Sequence, residues 1–136
     1  MQVKSMYVAV DFDGTIVEHK FPIIGKSVPG AFKWMKKLAE AGAKLILWTV
    51  RSDGGKCGNV LTDAVDYCRN RGVEFYGVNE NPDQKAWSSS PKVYANFYVD
   101  DAAEGCPLLA GRSGTRPMVD WEAIGPKLLE RVSSGV

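Results

Sequence analysis

Asp11 and Asp13 flank Phe12 directly after the apolar run Tyr7-Val8-Ala9-Val10. The two-residue period of a strand sends both carboxylates the same way while Phe12 turns inward, so they form one acidic mouth. Asp100 and Asp101 repeat the situation after Tyr98-Val99. Carboxylates at the end of a buried strand are costly unless something positive sits beside them. If the two strand ends are neighbours, the repulsion must be relieved by proton uptake or by a bound cation. The one histidine, His19, has no ligand-like partner nearby in sequence, and Cys57, Cys68 and Cys106 match no zinc or CxxC spacing. A hard cation with oxygen ligands fits best. Mg²⁺ is the natural candidate, because it binds through a few carboxylates and keeps waters that a phosphate can replace. Two more groups could meet such a phosphate: the Thr49 hydroxyl at the end of a second apolar run, and the Lys92 ammonium ahead of the last one. Each has an ordinary reading too: an Asp-Gly turn for Asp13-Gly14, a β-branched strand residue for Thr49, a solvated lysine for Lys92.

The elements that must position these groups follow from periodicity. Tyr7 to Val10 is predicted as a buried strand, and Thr15 to Val28, broken by Pro22 and Gly25, as a loop or small hairpin flap over its end. Ala31, Trp34, Met35 and Leu38 recur at helical steps within Pro29 to Ala41; Ser27 could cap that helix and Gly42 ends it. Lys44 to Val50 reads as a strand covered on both faces, and the stripe Val60, Leu61, Ala64, Val65, Cys68 as a helix closing near Gly72. Val73 to Val78 and Tyr94 to Val99 are the next strands, separated by a polar stretch, Asn79 to Lys92, with Pro82, Pro91 and the apolar anchor Trp87. Gly105 to Arg116 reads as largely irregular. An edge strand at Met118 and Val119 leads to a helix from Trp121 to Val132, with Asp120 as its cap. Strands alternating with helices predict an α/β three-layer sandwich. Its sheet is mostly parallel and Rossmann-like, of about five strands with helices on both faces, and its site lies beyond their carboxyl ends.

The 136 residues make one domain, 1–136, with a short flap at 15–28. Seventeen Lys+Arg against sixteen Asp+Glu leave no field of one sign to gather nucleic acid or a membrane surface. With no long apolar stretch or cleavage signal at the N-terminus, the expectation is a cytoplasmic protein. Trp34 and Trp48 read as packing residues, and Trp87 as the one tryptophan in a loop near the mouth.

Taken together the motifs resemble the haloacid dehalogenase-like (HAD) phosphohydrolase superfamily. Val8-Ala9-Val10-Asp11-Phe12-Asp13-Gly14-Thr15 is similar to that family's first motif, DxDGT after an apolar strand. Leu45 to Thr49 resembles the second, with Thr49-Val50-Arg51 in its T-x-R form, and Tyr98-Val99-Asp100-Asp101 resembles the acidic fourth. The third motif is a lone lysine. Lys92 precedes Asp100 much as in small capless members, although the Lys-Pro order is inverted to Pro91-Lys92 and Asn96 stands where those members often have Asp; Lys85 is its rival.

The resemblance implies a phosphatase working through an aspartyl-phosphate. Asp11 is then the nucleophile, and Asp13 the acid that protonates the leaving oxygen and later the base for water. The Asp11 and Asp100 carboxylates with the Asp13 carbonyl hold Mg²⁺, and Asp101 binds a metal water or orients Lys92. Thr49 and the backbone N–H groups of Phe12, Asp13 and Gly14 hold phosphoryl oxygens, and Lys92 neutralises charge. Arg51 is expected to clamp a substrate anion, and His19, Lys20, Lys56 and Asn81 lie in loops of the same face. Neither insertion point has room for a cap domain, so the site is expected to be open. That suits a bulky substrate, or a small phosphorylated molecule, with a sugar phosphate favoured, whose pocket a neighbouring copy in a homo-oligomer completes. The rival functions are a catalytically weak phospho-ligand or partner-binding module of the same fold, and a phosphotransferase.

Overall fold

The computed structural model describes residues 5–112 and 114–135. Four strands, β1 (Tyr7–Val10), β2 (Lys44–Leu47), β3 (Gly77–Val78) and β4 (Phe97–Val99), form one fully parallel sheet in the order β3-β2-β1-β4. The helices are α1 (Ala31–Glu40), α2 (Val60–Arg69) and α3 (Trp121–Ser134). The fold is a small Rossmann-like α/β unit. The sheet has four strands rather than about five, because Met118–Val119 (β6) pairs antiparallel with Leu108–Leu109 (β5) as a separate ribbon. Only β5 lies within the stretch Gly105 to Arg116 expected to be irregular; β6 is the expected edge strand, and it joins the ribbon to the first motif where Val119 N–H donates to Gly14 O at 3.0 Å.

Chain direction explains the layers. The steps β1 to β2 to β3 move one way across the sheet, so right-handed crossovers place α1 and α2 on the same face. Val8, Val10, Leu45 and Leu47 face them there in one core with Met35, Leu38, Ala64 and Cys68, and Trp121 and Val132 of α3 join it. Among the described residues, α-helices therefore cover one face, not both. The return step from β3 to β4 crosses the opposite face, where Ala9 and Ile46 are buried; Tyr98, beside Ala9 in register, donates its hydroxyl to Val93 O at 2.6 Å. Pro82 and Pro91 keep that segment from becoming a helix beyond one 3₁₀ turn, Gln84–Ala86.

Apolar stripes set the helices as expected, and Asp120 caps α3 by accepting from Ala123 N–H at 3.2 Å. Ser27 does not cap α1; its hydroxyl meets Tyr67 Oη at 2.7 Å, and Gly30 holds the cap position. The helices α1 and α3 cross at Gly125, where a Cβ would run into the indole of Trp34. Strands end earlier than their apolar runs, since Trp48 N–H still bonds Val10 O but Thr49 N–H turns away to Asn79 Oδ1. The segment 15–28 is a hairpin: Glu18 N–H bonds Lys26 O and Val28 N–H bonds Ile16 O, both at 2.8 Å, while Ile16, Val17 and Val28 anchor it in the core.

Candidate active site

Sheet order reverses at β1, which lies between β2 and β4, so the ends of these strands meet at a topological switch point. Asp11 follows β1 and donates its N–H to Val99 O at 3.0 Å, which pins it beside Asp100 and Asp101 after β4. One carboxylate oxygen from each of Asp11, Asp100 and Asp101 lies within 4.8 Å of the others. Thr15 organises this cluster from a fully buried position. Its hydroxyl donates to Asp11 Oδ2 at 3.0 Å and accepts from Asp101 N–H at 3.1 Å, while its carbonyl accepts from Trp121 Nε1 at 2.7 Å. Asp100 is turned by its own Asx contact, Oδ1 accepting from Ala102 N–H at 2.8 Å.

Three carboxylates with no lysine or arginine paired to them, among the described residues, repel one another. Burial, then the Asp100 charge, then the contact with Asp101 push the Asp11 carboxyl up to about 8. Asp101 is held by His19 Nε2, 2.7 Å from its Oδ2. Gly14 makes this possible: its φ of 86° suits glycine, and a Cβ there would occupy the space of the His19 and Asp101 side chains. The donor set, all hard oxygens with no lysine or arginine paired to them among the described residues, fits a cation such as Mg²⁺.

Asp13 is not part of the cluster. Both its carboxylate oxygens accept from Arg51, Nε and Nη2 each at 2.8 Å. Arg51 is the notable departure from expectation. Its side chain has no exposed surface, and its remaining donors go to the carbonyls of Pro22, Ile23 and Val60 at 3.1 to 3.3 Å. Its guanidinium also lies over the rings of Phe12 and Phe21, 4.9 and 5.0 Å from their centroids. All five N–H groups are used, so Arg51 ties Asp13, the flap and the start of α2 together and has none left for a substrate anion.

Lys92 is exposed, with its ammonium 5.6 Å from the Tyr98 ring centroid, and Lys85 pairs with Glu80 at 3.3 Å; neither pairs with a cluster carboxylate. The Tyr98 ring beneath Lys92 belongs to the face opposite the helices, since Tyr98 is in register with Ala9. Thr49 lies two residues beyond the end of β2, with its Oγ1 accepting from Arg51 N–H at 3.1 Å. The Gly14 N–H is already bonded to Val17 O at 2.7 Å, whereas those of Phe12 and Asp13 have no acceptor among the described residues. Trp87 lies at the other end of the sheet, in a cleft with Met6, Tyr7 and Tyr94.

Thr15, Asn79 and His19 make contacts at the site that the sequence reading does not assign to them. Thr15 had a signal, four residues after Asp11 in DFDGT, and so did Asn79, the polar residue ending an apolar run. His19 is expected only as a loop residue of the same face, and nothing local signals its contact with Asp101, 82 residues away.

No family model and no curated protein matches the chain. A solved structure described as a conserved protein from Bacteroides thetaiotaomicron is similar, at 36% identity over 94% of this chain and 93% of that one, with a TM-score of 0.74. No activity is stated for that protein. Identity and coverage at this level show that the chain belongs to the same family as that conserved Bacteroides protein.

Proposed function

We propose that the protein is a Mg²⁺-dependent phosphohydrolase of the haloacid dehalogenase-like type, cleaving a phosphomonoester through a phosphoryl-Asp11 intermediate. The observation that supports it most is the convergence of Asp11, Asp100 and Asp101 at the switch point, with Asp11 disfavoured as an anion until positive charge arrives. When bound, the cation would neutralise the carboxylates and polarise a phosphoryl oxygen. Asp11, Asp100 and Asp101 would hold it, and the Asp13 carbonyl, which accepts no bond among the described residues, is a further oxygen at the same mouth.

Asp11 attacks phosphorus in line and the alcohol leaves; water then attacks the acyl phosphate and frees Asp11. The N–H groups of Phe12 and Asp13 and the Thr49 hydroxyl supply donors for the phosphoryl oxygens. Asp13 can serve the leaving oxygen only when one of its two Arg51 bonds opens. Because Arg51 also grips Pro22 and Ile23, proton transfer at Asp13 is tied to the flap.

One observation favours a phospho-ligand-binding module instead: neither Lys92 nor Lys85 neutralises the cluster. A Mg²⁺-dependent turnover screen over phosphorylated sugars, nucleotides and small phosphoesters separates the two. Turnover that disappears in Asp11→Asn supports the hydrolase. Phosphate binding in Mg²⁺ without turnover of any substrate supports the module.

A further inference from the structure

A second concavity of opposite charge adjoins the acidic cluster. This cleft of about 480 Å³ is lined by His19, Lys20, Lys26 and Arg112, with Glu18 as its one acid. The hairpin builds it: the Glu18 to Lys26 backbone bond brings both flap strands to one wall, and Arg112 reaches Glu18 from the other at 3.0 Å. That pair cancels. Lys20 and Lys26 are exposed and meet no carboxylate among the described residues, so the cleft keeps two uncompensated cations in a chain whose formal charge is only +1. His19 joins cleft and cluster, since it lines the first while its Nε2 lies 2.7 Å from Asp101 in the second. The two are one imidazole apart, a span of a few covalent bonds in a small substrate.

We propose that this cleft is a subsite for a second anionic group of the substrate, a phosphate or carboxylate carried a few bonds from the scissile phosphoryl, held by Lys20 and Lys26. The inference rests on the phosphohydrolase reading and narrows it. An acidic cluster by itself repels a polyanionic substrate. Two ammonium groups beside it attract such a molecule and fix which of its anions faces Asp11. Phosphomonoesters of neutral alcohols leave the subsite empty.

Two matched pairs of probes test this in Mg²⁺: 6-phosphogluconate against glucose 6-phosphate for a carboxylate, and fructose 1,6-bisphosphate against fructose 6-phosphate for a phosphate. The member with the second anion is expected to have kcat/KM and affinity roughly tenfold better at low salt, with the advantage shrinking as salt rises. In Lys20→Gln/Lys26→Gln the ratio within each pair should fall towards one. A preference in one pair only assigns the anion to that chemistry. Equal values within both pairs, or a ratio that survives the double substitution, overturn the subsite and leave the phosphohydrolase standing. Calorimetric titration of the same probes reads the subsite without turnover. Selective binding with no hydrolysis of any probe overturns the phosphohydrolase and keeps the anion cleft.

Discussion

Replacing Arg51 by Met removes five donors from a site with no solvent exposure and keeps most of the side-chain volume. The Asp13 carboxylate loses both partners, and the carbonyls of Pro22, Ile23 and Val60 lose theirs. Breaking a buried pair by removing one member costs roughly 3–5 kcal/mol, because the other charge stays behind. The Asp13 side chain is 14% exposed, so water reaches it and the lower end applies. A loss of about 3 kcal/mol corresponds to a Tm drop of about 10 °C in a domain of this size. Calorimetry or urea unfolding reads this directly, and Arg51→Met/Asp13→Leu should recover most of it by removing the stranded charge as well. If Arg51 were instead a substrate ligand, Arg51→Met would leave Tm within about 2 °C of the parent and raise KM alone. That result would refute the clamp.

The other predictions rest on separate contacts. Gly125→Ala adds helix propensity yet should lower Tm, since the new methyl meets the Trp34 indole; an unchanged or higher Tm would show that the α1 and α3 crossing adjusts freely. In metal-free protein the Asp11 carboxyl titrates near 8, above its unfolded value of 3.8, so its contribution to stability is present at low pH and lost as pH rises towards 8. Tm without metal should therefore fall between these values, and the fall should be smaller in Asp11→Asn. Hydrogen bonds from Tyr7 and Tyr76 hold the Asp83 carboxyl down at about 2, so an NMR titration should find it there and find it higher in Tyr76→Phe.

Much of the site was legible because strand ends carry local signals. Alternation about Phe12 and the acidic pair after Val99 locate two edges of one mouth, and the β1 to β4 register sets them side by side. What the sequence hid depends on contacts between distant residues. Arg51 looked like a loop cation because nothing near it in the chain announces Asp13, 38 residues earlier, or the flap carbonyls as partners. The place of Asp101 in the cluster follows from His19 and Thr15, which approach it from the far end of the chain. Lys92 shows the converse: spacing before a strand fixes neither the face its loop crosses nor where its ammonium ends. The placement of the helices on one face has no local signal, because strand order, invisible in periodicity, decides which face each crossover takes.

In the proposed site the carboxylates after β1 and β4 share one hard cation. A crystal grown with Mn²⁺ tests it by anomalous scattering. A single strong peak bonded to carboxylate oxygens of both Asp11 and Asp100, absent from crystals of Asp11→Asn, is expected. A peak bound elsewhere, or none at saturating Mn²⁺, would contradict it.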